Sequence, residues 1–190
     1  MKIGILGGTF DPPHLGHLVA AQDACSALQL DRLIFIPAAQ PPHKLDRSVT
    51  EAELRLEMLR AALDGNPQFE VSTAELERGG PSYTVATLRE LRAKHRGDML
   101  YLLIGVDQVR EFGGWREPEE ILKLARIVML ARAGTDQLGE AASFVQQAVA
   151  VTRIDVSSTM VRGRVAAGEP IRYLVPDAVV QVIEREGLYR

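Results

Sequence analysis

One cysteine, Cys25, stands among 190 residues. That scarcity excludes an intramolecular disulfide and fits a reducing compartment. Long apolar runs are also missing. None approaches the ~20 residues of a membrane-spanning helix, and the opening Met1-Lys2-Ile3-Gly4-Ile5-Leu6-Gly7-Gly8 lacks the apolar core of a signal peptide. The expectation is a cytoplasmic chain with no membrane partner. Charge of one sign is not in excess: 22 Lys and Arg face 25 Asp and Glu, a net −3. A broad electrostatic grip on nucleic acid is therefore not expected, and positive charge for an anionic substrate must be concentrated locally. Neither the 16 glycines nor the 10 prolines suggest a collagen-like or low-complexity chain. Its 46% hydrophobic and 25% charged residues argue against wholesale disorder. Its length suits a single domain, residues 1–190, that buries a core without covalent staples.

Short apolar runs alternate with stretches of helical period. Residues 3–6, 33–36, 69–72, 101–104, 127–130 and 149–154 read as strands. Helices are expected over 15–28, from the capping-box spacing Thr50-Glu51-Ala52-Glu53 to about Leu63, and around Val85, Leu88 and Leu91. Further helices are expected over 121–125, through Phe144 and Val145, over 159–167, and over 176–186 with Gly187 as a stop. Strands that are apolar throughout are buried on both faces. Their alternation with helices implies an α/β fold, a doubly wound and mostly parallel sheet with helices on both faces.

Ligands of such sheets bind beyond the carboxyl ends of the strands, so the residues that follow each strand matter most. After the first come Gly7-Gly8-Thr9-Phe10-Asp11-Pro12-Pro13-His14-Leu15-Gly16-His17. Two glycines admit close backbone approach, and a helix start offers N–H groups to a phosphate. His14 and His17, three apart, share a helix face and could stabilise phosphoryl charge; metal ligation or a plain helix cap are the alternatives. Pro41-Pro42-His43-Lys44 stiffens a loop that brings Lys44 to the same edge, unless Lys44 is simply solvated. Gly105-Val106-Asp107 offers a carboxylate for ribose hydroxyls or an N-cap, and Trp115 offers a face for a flat ring or a packing residue. Ser157-Ser158-Thr159-Met160-Val161-Arg162 reads as a second phosphate cradle or as simple capping. There is no dinucleotide fingerprint, P-loop, Ser-His-Asp set or two-metal carboxylate chain.

The first, second and last of these segments together resemble the nucleotidyltransferases of the HxGH superfamily. Pro81-Ser82-Tyr83-Thr84, Gly105-Val106-Asp107, Trp115 and Gly187-Leu188-Tyr189-Arg190 narrow the resemblance to bacterial nicotinate-nucleotide adenylyltransferases, along essentially the whole chain. The resemblance implies a Rossmann-like nucleotidyltransferase fold. It also implies transfer of AMP from ATP to nicotinate mononucleotide, giving deamido-NAD and pyrophosphate in NAD biosynthesis, with Mg²⁺ accompanying ATP. It casts His17, His14, Lys44 and Arg162 as catalytic. It places ATP at Gly7, Gly8, Thr9, Phe10, His14, Gly16, His17, Gly105, Asp107, Ser158, Thr159 and Arg162, and nicotinate mononucleotide at Lys44, Ser82, Tyr83, Thr84 and Trp115. No metal site of the protein's own is implied, and a homo-oligomer is left open. Ala38 and Ala39 stand where family members often carry Asn, so backbone or Lys44 is expected to replace that contact to the ribose phosphate. Two other readings remain: phosphopantetheine adenylyltransferase, and a nucleotide-binding regulatory module without catalysis.

Overall fold

A computed structural model of the chain describes residues 1–40, 49–132 and 139–190. Six strands form one sheet, all neighbours parallel, in the order β3-β2-β1-β4-β5-β6. They are β1 (Lys2–Gly8), β2 (Arg32–Pro37), β3 (Phe69–Val71), β4 (Met99–Gly105), β5 (Arg126–Arg132) and β6 (Gln147–Val151). Helices α1 (Leu15–Leu28) and α2 (Ala52–Leu63) connect the first three strands. The crossover from β3 to β4 carries α3 (Ala74–Arg78) and α4 (Thr84–Lys94), and that from β4 to β5 carries α5 (Val106–Glu111) and α6 (Pro118–Leu124). After β6 the chain closes with α7 (Ser158–Ala166) and α8 (Asp177–Arg185).

The period-two geometry of a strand explains the unbroken apolar runs, because alternate residues face opposite helical layers. Ile3, Ile5, Ile34, Ile36, Leu102 and Ile104 pack with Val85, Leu88, Val109, Phe112 and Ile121 of α4, α5, the following turn and α6. Leu6, Leu33, Phe35, Tyr101 and Leu103 pack on the other face with Ala21, Ala24, Cys25 and Leu28 of α1 and Leu59 of α2. Gly4 belongs to this second face; a Cβ there would lie 2.6 Å from Leu30 Cδ1, so the bare backbone makes room for leucine. A third apolar cluster joins α2, α7 and α8 through Met58, Val161, Val179, Val182 and Ile183.

The doubly wound parallel sheet is as expected, and α1 has the expected bounds. Other local expectations need correction. Glu51, not Thr50, precedes α2, and it makes no side-chain cap; the backbone of Thr50 is engaged by Asp11 and Arg55 instead. Residues 139–144 form a 3₁₀ helix rather than an α-helix, and β6 ends at Val151 rather than 154. Helices α3 and α5 are additional: five and six residues are too few to show a hydrophobic period.

Met58, fully buried, ties the third cluster to α2. Met58→Ala should cost about 2–5 kcal/mol, the range for truncating a buried large side chain. A urea midpoint unchanged from the parent would show that the α2–α7–α8 cluster does not hold the fold.

Candidate active site

Strand order reverses direction between β1 and β4, and a cavity of about 610 Å³ opens there at the carboxyl edge of the sheet. At one end it is lined by Gly7, Gly8, Thr9, His14, Gly16 and His17, with Thr152, Ile154 and Ser157 beside them. At the other end stand Glu75, Ser82, Tyr83, Thr84, Thr87, Trp115 and Arg116, and Gly105 and Gln108 lie at the end of β4. The cavity is thus lined by two differently composed groups of residues.

The histidine end is built by backbone constraint. Phe10 takes φ +49 and is buried. Its ring meets His17 edge-on at 5.1 Å, so it supports the histidine and does not itself line the cavity. His14 precedes the first turn of α1, and the His14 and His17 rings stack at 3.7 Å. The His14 N–H donates to His17 Nδ1 at 3.2 Å. A neutral imidazole accepting at Nδ1 carries its proton on Nε2. Burial, helped by the neighbouring His14, pushes the His17 pKa from 6.5 down to about 3. At neutral pH His17 is therefore an uncharged ring with a single donor, Nε2–H. Gly16 lies under the pair: a Cβ there would stand 3.0 Å from His14 Cε1 and Nδ1.

The segment in front of the histidines is held by side chains from three distant parts of the chain. Arg55 of α2, 1% exposed, donates through Nη1 to Thr9 O at 2.9 Å and through Nε to Thr50 O at 2.8 Å. Burial lowers its pKa, opposed by the charge of Asp11. Arg162 donates to Asp11 O at 2.7 Å, and the Ser158 hydroxyl to Pro12 O at 2.8 Å. The Tyr189 hydroxyl donates to Asp11 Oδ1 at 2.6 Å, while Asp11 Oδ2 accepts from Thr50 N. Burial and the Asp11 carboxylate raise the Tyr189 pKa, so the phenol stays protonated.

Several of the residues expected to bind ligand also make hydrogen bonds within the protein. Ser158 and Arg162 bind loop carbonyls, and Thr159 accepts from Arg162 Nη2 at 3.3 Å. None of the three lines the cavity, whereas Ser157, whose hydroxyl caps Met160 N, does. Asp107 is exposed on α5, 3.4 Å from Arg110, and lies off the cavity wall; Gln108 takes the wall position and accepts from Gly105 N. Ala38 N is bonded to Gly8 O and Ala39 N to Ser82 Oγ, so neither amide is open to a phosphate. Lys44 lies outside the described residues.

At the other end, Tyr83 N is bonded to Pro81 O, and α4 starts at Thr84, with Ala86 N and Thr87 N both bonded to Tyr83 O. Trp115 packs at 5.3 Å on Phe112, and its Nε1–H is buried with no hydrogen-bond partner among the described residues. Trp115 is both a packing residue and a cavity wall. Arg116 lies over the Tyr83 ring at 4.7 Å. Arg89 and Glu117 pair at 2.6 Å between α4 and the same loop. Glu75, Thr87, Gln108 and Arg116 escaped sequence reasoning; the position of Glu75 just beyond the third strand was the available signal for it.

The geometry defines a nucleotide-binding α/β protein of the nucleotidyltransferase type, with a histidine pair at the switch point. The cytidylyltransferase-like family model matches residues 5–164. Two relatives carry the name "Probable nicotinate-nucleotide adenylyltransferase". That of Geobacillus thermodenitrificans is 45% identical, over 99% of this chain and 86% of its own. That of a Roseiflexus species is 47% identical, over 99% and 98%. The chain belongs to the cytidylyltransferase-like family and, within it, to the nicotinate-nucleotide adenylyltransferases. The fold is shared with the nicotinic acid mononucleotide adenylyltransferase of Plasmodium falciparum, solved with NaAD. That structure has a TM-score of 0.81 at 16% identity, over 99% of this chain and 97% of the other.

Two outcomes follow from this geometry. Gly16→Ala should displace the His14 ring and lower turnover roughly tenfold while the fold survives, because misplacing a positioned group costs rate steeply; unchanged turnover would show that the close approach is immaterial. For the ligand-free protein, a folded His17 pKa of about 3 lies below the unfolded 6.5. The unfolded state then binds more protons between those values, so stability present above pH 6.5 is lost as pH falls towards 3. Between pH 7 and 5, parent stability should fall more steeply than that of His17→Asn, by up to ~1.4 kcal/mol per pH unit. Parallel stability profiles would contradict the buried, neutral ring.

Proposed function

We propose that the chain transfers the adenylyl group of ATP to nicotinate mononucleotide, forming deamido-NAD and releasing pyrophosphate, in the cytoplasm. The observation that carries this reading is the two-ended cavity at the switch point. A histidine pair stands at one end, and a tyrosine–tryptophan wall with a helix start stands at the other. The common name of relatives that match along the chain supports it. The single buried cysteine and the lack, among the described residues, of a helix able to cross a membrane are compatible with the location.

In the proposed reaction a phosphate oxygen of the mononucleotide attacks the α-phosphorus of ATP. The bond from that phosphorus to the bridging oxygen breaks in line, and pyrophosphate departs with the electron pair. Such a transfer requires positioning and charge stabilisation rather than a protein nucleophile. His17 donates from Nε2–H to an α-phosphate oxygen as charge grows there. Because Nδ1 is held by the His14 N–H, the ring acts as a neutral donor of fixed orientation. His14 and the backbone at Gly7, Gly8 and Thr9 line the phosphate channel, with Gly16 giving the rings room. Gly105 and the α5 turn that bears Asp107 and Gln108 take the adenosine ribose. Lys44 supplies positive charge to the phosphates. Ser158, Thr159 and Arg162 act chiefly by fixing the loop at Asp11 and Pro12. Ser82, Tyr83 and Thr84 hold the nicotinate, with Trp115 beside its ring. Mg²⁺ enters as part of the MgATP substrate. Both Asp11 carboxylate oxygens are occupied by protein donors, and the described residues hold no cluster of three metal-ligating side chains.

A pyrophosphate-release assay with nicotinate mononucleotide, nicotinamide mononucleotide and phosphopantetheine tests the assignment. Release with the first and not the last is expected; the reverse would overturn it. His17→Ala should lower turnover by about 10²-fold or more, the scale for losing one oriented donor to developing charge. A folded variant with near-parent turnover would remove His17 from the reaction.

A further inference from the structure

Glu75 has no part in the chemistry above, yet it is 7% exposed and lines the acceptor end of the cavity. One carboxylate oxygen accepts from Thr87 Oγ1 at 2.7 Å. Thr87 sits one turn into α4 and also approaches Tyr83 O, which places Glu75 against the first turn of that helix. The nearest cation along this network, Arg78, donates to Thr87 at 2.9 Å and pairs with Glu90 at 2.5 Å. No ion pair among the described residues includes Glu75. A buried carboxylate without a countercharge is costly unless something else supplies the positive charge. Tyr83 and Trp115 wall the same end of the cavity, and Arg116 on Tyr83 ties their two segments together. Aromatic faces beside a buried carboxylate that has no direct ion pair are the chemistry that receives a flat organic cation.

We infer that Glu75 is the countercharge for the pyridinium ring of the acceptor. This rests on the proposed function, and it follows from the chemistry of any pyridine mononucleotide. The ring nitrogen bonded to ribose is quaternary, so the ring carries a positive charge whether its 3-substituent is a carboxylate or an amide. Glu75 therefore sets affinity for the charged ring, and the α4 start acts on the 3-substituent.

The test compares two ligands by calorimetry. One is nicotinate mononucleotide; the other is the 3-carboxyphenyl C-riboside 5′-phosphate, in which carbon replaces the quaternary nitrogen and the ring is neutral. The parent should bind the charged ring more tightly. E75Q keeps an acceptor for Thr87 but removes the charge, and should weaken the charged ligand roughly tenfold, a modest share of what a near-buried ion pair can supply. The neutral ligand and the KM for ATP should not change. E75D, which keeps the charge, should retain part of the parent's preference, and thermal midpoints read any loss of fold. Equal weakening of both ligands, or of neither, overturns the role of Glu75. Parent turnover of nicotinate mononucleotide reads the functional conclusion separately: its absence overturns that conclusion, whereas turnover with an unaltered preference in E75Q overturns only the countercharge.

Discussion

The site depends on how one short segment, Thr9 to Pro13, is held in place. It leaves the end of β1 with Phe10 in the left-handed region and must deliver His14 to the start of α1. Its carbonyls cannot join the sheet, and they are taken by Arg55, Arg162 and Ser158, while the Asp11 carboxylate takes Tyr189 and Thr50. Buried backbone acceptors need partners. Here the partners are also the means by which α2, α7 and the chain's last residues dock. The third apolar cluster, around Met58, Val161 and Val179, packs behind the same contacts. One arrangement therefore closes the fold and aims the histidines.

The two ends of the cavity use different physics. At the histidine end the protein presents an uncharged, oriented donor in a partly desolvated place, since burial and the neighbouring His14 keep His17 neutral. In the proposed reaction, that suits charge which develops on a phosphorylated substrate. At the acceptor end the wall is aromatic, with a helix start and one buried carboxylate. In the proposed reaction, specificity there rests on the shape and charge of a non-reacting ring. Arg116 over Tyr83 and the Arg89–Glu117 pair join the two sides of that wall.

Much of this was legible in the chain. Leu33-Ile34-Phe35-Ile36 and Tyr101-Leu102-Leu103-Ile104 can be apolar throughout only if both faces are covered, and that requirement leads to a parallel, doubly wound sheet. The rule that ligands gather beyond strand ends then found Gly7, Gly8, His14, His17 and Gly105, all of which line the cavity. The short helices α3 and α5 were illegible because one turn and a half of helix shows no period.

Local pattern determined the strands, the long helices and the residue types at the histidine end, because periodicity and motif spacing act within a few residues. Only the tertiary structure decided which polar groups remain free for a ligand. The Ser158 hydroxyl and one N–H of Arg162 are given to Pro12 O and Asp11 O, about 150 residues earlier. Ala38 and Ala39 lose their amides to Gly8 and Ser82 in the same way. Arg55 and Tyr189 gain their roles from contacts with residues far along the chain, and sequence spacing carries no record of that. Hydrogen bonds between distant segments are settled by packing, after which each donor has been claimed or left open.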